Sequence, residues 1–296
     1  MISPWDRGFL YGDGVFATLR TYAGRLFALD DHLDLLIATA ATLHLDLSSE
    51  RERLRSEALH AAEPHPQPLS TFVERGASPP PESPPLPLST TVERGPGGEA
   101  IVRLIATRGE GAGAALSAHT PPTLLALAEP LTPLPLSLHR DGITVETRPA
   151  PGGTLGPKTL SYLPHLRALD EARRRGHGEV LWRDERGALG QGATSNLLVA
   201  LSSGELVAPS PAAGRSGVTR RWVLRLAPGL GLRVAERPVT PDDRARATEV
   251  MVCSTLREVV SVVAIDGTPV GAGRPGTVAV ALRRALREAA GGLPGE

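Results

Sequence analysis

The chain has 296 residues, with 32 basic and 32 acidic side chains and a formal net charge of zero. That balance gives a polyanion no long-range attraction and so excludes a general nucleic-acid or membrane-surface binder. Apolar residues make up 41%, enough for one large core or two smaller ones, while a single cysteine excludes a disulfide framework and no apolar run reaches the ~20 residues of a membrane span.

The first residues, MISPWDRGFLYGDG, carry charge at Asp6 and Arg7 and hold no secretory apolar stretch, so a cytoplasmic location is expected. The β-rich run Val15 to Tyr22, a tight turn at Ala23-Gly24 and a return strand Arg25 to Ala28 follow. Asp30-Asp31 is read as the cap of a helix on which Leu33, Leu36, Ile37 and Ala40 recur at helical spacing. A second helix is expected over Ser49 to Ala62. From Glu63 to Gly98 ten of the 28 prolines fall within 36 residues, in two near-identical nonapeptides beginning at Pro68 and Pro87. Proline at that density blocks helix and central strand alike, and two copies are too few for a solenoid, so an inserted surface loop is predicted.

Beyond that loop, Ala100 to Arg108 and Thr123 to Ala128 read as buried strands, and the Gly-, Ala- and Pro-rich stretch Gly111 to Pro122 between them as an interdomain crossing. This divides the chain into residues 1–115 and 116–296. In the second part Ile143 to Arg148 reads as a strand and Leu160 to Arg175 as a helix. Glu179 to Arg183 and Asn196 to Ala200 form a meander around a turn at Asp184 to Gly187. A helix opens at Gly217 and stops before Pro228. Glu249 to Cys253 and Ser261 to Ile265 are strands, and Thr277 to Ala290 is a last helix. Strands and helices mix without strict alternation, which points to α+β.

Four features could carry chemistry. Lys158, in Gly-Pro-Lys-Thr-Leu-Ser-Tyr-Leu-Pro, is the only lysine in the chain. Arginine fills surface roles equally well but stays protonated, whereas a desolvated lysine can lose its proton and attack a carbonyl. Gly214-Arg-Ser-Gly-Val-Thr-Arg220 opens a helix whose free N–H groups and hydroxyls could seat an anion. Gly190-Gln-Gly-Ala-Thr-Ser-Asn196 is a small-residue bend that lets a ligand approach the backbone. Asp6 to Phe16 combines three glycines with the hydroxyl of Tyr11.

In this order the stretches Asp6 to Arg20, Leu29 to Leu36, Lys158 to Pro164, Gly190 to Leu197, Ser216 to Arg221 and Glu249 to Val259 resemble the class IV pyridoxal-phosphate aminotransferases, fold type IV. The resemblance covers nearly the whole chain apart from 63–98. It implies a two-domain architecture, with a small α/β N-terminal domain and a larger pseudo-barrel C-terminal domain, and a homodimer acting on a small-molecule substrate. It also implies a pyridoxal 5′-phosphate cofactor held by Lys158 as a Schiff base, with that lysine then moving the Cα proton. Val218 and Thr219 would hold the phosphate, Thr255 would add a further phosphate or substrate contact, and Tyr162, Gln191 and Ser195 would lie along the cofactor. Thr18 and Tyr11 would face the substrate, with Arg108 beside them. The run Val102 to Gly111 and the short Lys-Thr-Leu-Ser-Tyr spacing resemble the aminodeoxychorismate lyase subgroup, which forms 4-aminobenzoate and pyruvate.

The sequence departs from the family's pattern at three places. Gln191 stands where a glutamate normally pairs with the pyridine nitrogen, and a neutral amide cannot hold a proton there by charge. Leu35 stands where an arginine normally meets the phosphate, and Ala17 where a glutamate is usual. Three functions remain open on these grounds: a lyase of the aminodeoxychorismate type, an aminotransferase on a branched-chain or D-amino acid, and a cofactor-binding homologue with little catalysis.

Overall fold

A short N-terminal helix, α1 (Arg7–Tyr11), precedes the first expected strand in the computed structural model, which describes residues 2–63, 99–111, 116, 120–151, 157–210 and 216–291. Asp6 caps α1, its Oδ1 accepting from the Gly8 and Phe9 amides at 2.8 and 3.4 Å and its Oδ2 accepting from the Thr107 hydroxyl at 2.8 Å. Gly12 ends the helix in the left-handed conformation, at φ 66°, and a Cβ there would lie 2.6 Å from the Ser161 hydroxyl. Glycine therefore lets this corner pack against the segment that carries Lys158.

β1 (Gly14–Tyr22) alternates buried Val15, Ala17 and Leu19 with the half-buried Phe16 and Thr18. Its return strand, β2, is only Arg25–Leu26, because the chain turns at Ala28 (φ 52°) directly into α2 (Leu29–Ala41). Asp30 and Asp31 lie in the first turn of α2 and make no cap. Their charge suits the helix N-terminus, and their oxygens are used in tertiary pairs: Asp30 with Arg51 and Arg55 of α3 (Arg51–Ala62), Asp31 with Trp222. The Pro-rich repeats at 64–98 lie outside the described residues.

β3 (Ala100–Thr107) pairs antiparallel with β1 and with β4 (Thr123–Pro130), giving a four-stranded sheet in the order β2-β1-β3-β4. The stretch 111–122 therefore joins two neighbouring strands of one sheet. α2 and α3 cover one face of this sheet, where Leu33, Leu36, Leu54, Leu104 and Val102 are fully or nearly fully buried. Each such leucine contributes about 1.5–3 kcal/mol on burial.

The second part begins with α4 (Ser137–Asp141), β5 (Ile143–Pro149) and α5 (Leu163–Arg174). α5 starts three residues later than its pattern predicts, because Leu160 is held by β1. Then come β6 (Glu179–Arg183), β7 (Leu189–Gly192), β8 (Asn196–Leu201), β9 (Glu205–Ala208), α6 (Val218–Leu226) and β10 (Arg233–Glu236). α7 (Pro241–Ala245), β11 (Ala247–Ser254), β12 (Glu258–Ile265), β13 (Thr268–Pro269) and α8 (Thr277–Ala289) complete the chain. One sheet runs β10-β9-β8-β11-β12-β5-β6-β7, with β13 on β12. β7 lies five positions from β8, which would be about 24 Å in a flat sheet at ~4.8 Å per strand. Yet only residues 193–195 join them, and the Gly192 amide donates to the Ser195 carbonyl at 2.8 Å. Four Cα steps span at most about 15 Å. The sheet must therefore curl onto itself, which is the expected pseudo-barrel in an α+β chain. Its interior holds Val145, Leu181, Leu197, Val199, Val207, Val250 and Val252, and α6 and α8 cover its outside through Val223, Leu282 and Leu286.

Candidate active site

A cavity of about 430 Å³ opens where the small sheet meets the curled one. Lys158 enters it from a segment tied to the edge of β1. Thr159 bridges to Val15, and the Leu160 amide donates to the Gly14 carbonyl at 2.9 Å. This sets the Lys158 Nζ 4.6 Å from the centroid of the Phe16 ring, half-buried in the cleft. The Tyr162 ring meets Phe16 edge-on at 5.3 Å, and its hydroxyl donates to the Ala193 carbonyl at 2.6 Å.

The curled sheet supplies the opposite wall. Gln191 of β7 is buried, and the turn after it brings in Thr194 and Ser195. Both hydroxyls donate to Glu179 of β6, at 2.7 and 2.9 Å, and Arg257 completes that buried carboxylate's shell at 3.1 Å. Glu179 thereby fixes the shape of the turn from behind without lining the cavity. At the deep end, α6 begins at Gly217 with no side-chain cap, so its first N–H groups are left for a ligand. Ser216, Val218, Thr219, Ser254 and Thr255 surround that terminus. The Gly217 amide donates to Asn196 Oδ1 at 3.2 Å, and a Cβ at Gly217 would lie only 2.3 Å from that oxygen. Glycine is needed here for the close approach rather than for a turn. Gly214 and Arg215 of the same motif lie outside the described residues.

Seven of the expected site residues thus share one cavity: Lys158, Tyr162, Gln191, Ser195, Val218, Thr219 and Thr255. Three do not line it. Thr18 shares the Phe16 face of β1 but sits one residue pair farther along. Tyr11 is 54% exposed on α1, with the Arg7 guanidinium 5.1 Å from its ring. Arg108 is spent on structure: its guanidinium is 2.9 Å from Asp13 and donates to the carbonyls of His44 and Leu43 at 3.0 and 2.6 Å. A substrate role for Arg108 is not supported within this chain.

α2 contributes a wall made by His32, Leu35, Leu36 and Thr39 on one helical face, of which the sequence marked only position 35. Leu35 confirms that no arginine occupies that position of the cavity. His32 is buried, and burial, then the charges of Lys158 and Arg221, lower its imidazole pKa to about 3. An unfolded histidine titrates near 6.5, so the folded state binds fewer protons below that pH. Its contribution to stability is complete above about pH 6.5 and is lost as pH falls toward 3. In the cofactor-free protein, urea midpoints should fall below pH 6.5. His32→Leu should remove a slope of up to about 1.4 kcal/mol per pH unit from that fall, and an unchanged slope in the variant would contradict this. Cys253 also lines the cavity, but burial pushes its thiol up to about 12, which leaves Lys158 as the nucleophile.

Among the described residues no side-chain carboxylate lines the cavity, and its only cationic lining residue is Lys158. An amine, a buried amide, and amide and hydroxyl donors around a helix N-terminus could take a carbonyl compound that carries an oxyanion at its far end. The family model for class IV aminotransferases matches residues 14–265. A D-alanine aminotransferase of Bacillus licheniformis is 29% identical over 287 residues, 95% of this chain and 89% of its own. The 4-amino-4-deoxychorismate lyase of Pseudomonas aeruginosa superposes with a TM-score of 0.75 at 28% identity, over 97% of this chain and 95% of that one. The branched-chain amino acid aminotransferase of Escherichia coli gives 0.75 at 23% identity, over 97% and 89%, and shares the fold.

Proposed function

The chain belongs to the class IV aminotransferase family of pyridoxal-phosphate-dependent enzymes, and from that premise we propose that it is a lyase converting 4-amino-4-deoxychorismate to 4-aminobenzoate and pyruvate. The cavity suits the cofactor. The uncapped start of α6 and the hydroxyls of Thr219 and Thr255 match a phosphate, and Lys158 offers the amine for the aldehyde. When bound, the cofactor supplies an electron sink for the substrate's Cα.

The residues of the chain do the rest. Phe16, with Tyr162 packed edge-on against it, holds Lys158 over the cleft, where its amine would hold the cofactor and serve as the base at the substrate's Cα. The α6 terminus would hold the cofactor's phosphate, and the turn at 193–195, braced by Glu179, would set Gln191 beside its ring.

The observation that carries the lyase reading is Gln191 in a cavity without a lining carboxylate among the described residues. A transaminase must stabilise its carbanion long enough to reprotonate it elsewhere, and a charged partner on the ring nitrogen serves that end. Loss of pyruvate from aminodeoxychorismate makes an aromatic ring, so the product's stability drives the step and a neutral amide suffices. Similarity to the D-alanine aminotransferase favours a second reading, transamination of a small amino acid. The loaded protein should release 4-aminobenzoate and pyruvate in equal amounts from aminodeoxychorismate. Ready transamination of D-alanine or a branched-chain amino acid with no 4-aminobenzoate would overturn the lyase reading.

The enzyme is proposed to work as a cytoplasmic homodimer. Trp5, Phe9, Leu10 and Tyr11 expose a large apolar surface around α1, which a second copy would cover, and the lone buried cysteine suits a reducing compartment. Sedimentation at micromolar concentration should give twice the chain mass, and a monomer there would contradict it.

A further inference from the structure

The start of α6 is one half of an anion site, and α2 holds a second group aimed at it. His32 is 7% exposed, and its imidazole makes no hydrogen bond to any described residue. It lines the main cavity together with Val218 and Thr219, and it also lines a pocket of about 10 Å³ shared with Arg20, Thr219 and Thr255. An imidazole with no protein partner that borders a cavity keeps its N–H for whatever fills that cavity. The arrangement is held from both sides. The residue before it, Asp31, accepts the Trp222 indole N–H at 2.8 Å on its carboxylate and the Arg221 guanidinium at 2.9 Å on its carbonyl. α2 is thereby pinned onto the first turns of α6, with His32 at the contact. The other polar side chains on that face of α2 are used: the Thr39 hydroxyl donates to the Leu35 carbonyl at 2.6 Å, and that of Thr42 to the Thr39 carbonyl at 2.7 Å. One turn on, Leu35 offers no donor.

We propose that His32 is a ligand of the cofactor's phosphate, donating its imidazole N–H to a phosphate oxygen and supplying from position 32 the donor that position 35 lacks. The proposal rests on the pyridoxal-phosphate reading of the cavity. A neutral imidazole keeps one N–H for this bond, and the nearby charges of Lys158 and Arg221 favour the same anion. The donor completes a seat otherwise built from the α6 amides and the hydroxyls of Thr219 and Thr255.

The test compares binding of pyridoxal phosphate with binding of pyridoxal, which lacks the phosphate, by absorbance titration of the full chain. His32→Leu should weaken pyridoxal phosphate about ten- to a hundredfold, the range for a hydrogen bond to a charged group, and change pyridoxal by less than about twofold. His32→Gln, which keeps an N–H donor, should recover part of the loss, and the 31P resonance of the bound cofactor should move in His32→Leu. Wild-type affinity for the phosphate form in His32→Leu would overturn the proposal, as would an equal loss for both aldehydes, which marks a structural role. If His32→Leu fails to fold, His32→Gln with an unmoved 31P resonance and full affinity overturns it equally. Failure of the wild type to bind either aldehyde would sink the cofactor reading itself, and the proposal with it.

Discussion

Replacement of Lys158 by alanine is expected to abolish turnover, by at least about 10⁴-fold, and to remove covalent attachment of pyridoxal phosphate. A positioned general base alone contributes roughly 10²–10⁴-fold, and the variant also loses the nucleophile. No other side chain can substitute: the chain has a single lysine, and the thiol of Cys253 is held protonated by burial. Lys158→Arg should be as inactive, because a guanidinium does not give up its proton. Stability should change little, since Lys158 is half-buried over Phe16 and carries no core packing. Steady-state rates and circular dichroism of the two variants check this. More than about 1% residual activity in either, with the fold intact, would contradict the assigned roles.

Gln191→Glu is expected to push the enzyme toward transamination. Gln191 is 2% exposed in β7. A carboxylate there would pair with a protonated ring nitrogen when the cofactor is bound. A charge-assisted bond exceeds a neutral one by about 1–2 kcal/mol, so the transamination half-reaction should quicken roughly tenfold. Without cofactor the same carboxylate is a buried charge, and the variant should lose about 1–3 kcal/mol of stability that loading restores. Single-turnover rates with D-alanine and thermal melts with and without cofactor read both effects. A variant that transaminates no faster than wild type would show that the ring nitrogen does not face position 191.

The site was legible in the sequence wherever chemistry restricts residue type. Lys158 stood out because arginine had taken every other basic position, and Gln191, Ser195, Val218, Thr219 and Thr255 were marked by local motifs that keep their function on short turns. What depends on long-range packing was not legible. Arg108 looked available, but its partner Asp13 lies across a strand pairing that local composition does not encode. The five residues of α1 carry too little propensity to announce a helix; the helix forms because Asp6 is held by Thr107. The run 111–122 had the composition of a linker, and only the pairing of β3 with β4 shows it to be a hairpin connection. Nothing in the sequence marked His32, because its place beside the start of α6 exists only once α2 is docked there.

The central claim is that one amine in the cleft between the two sheets carries the cofactor. Borohydride reduction of the loaded protein, followed by peptide mass mapping, tests it most directly. The prediction is one pyridoxyl-phosphate group per chain, on the peptide containing Lys158. Label confined to the chain's N-terminal amine, or no label after saturating exposure, would contradict it.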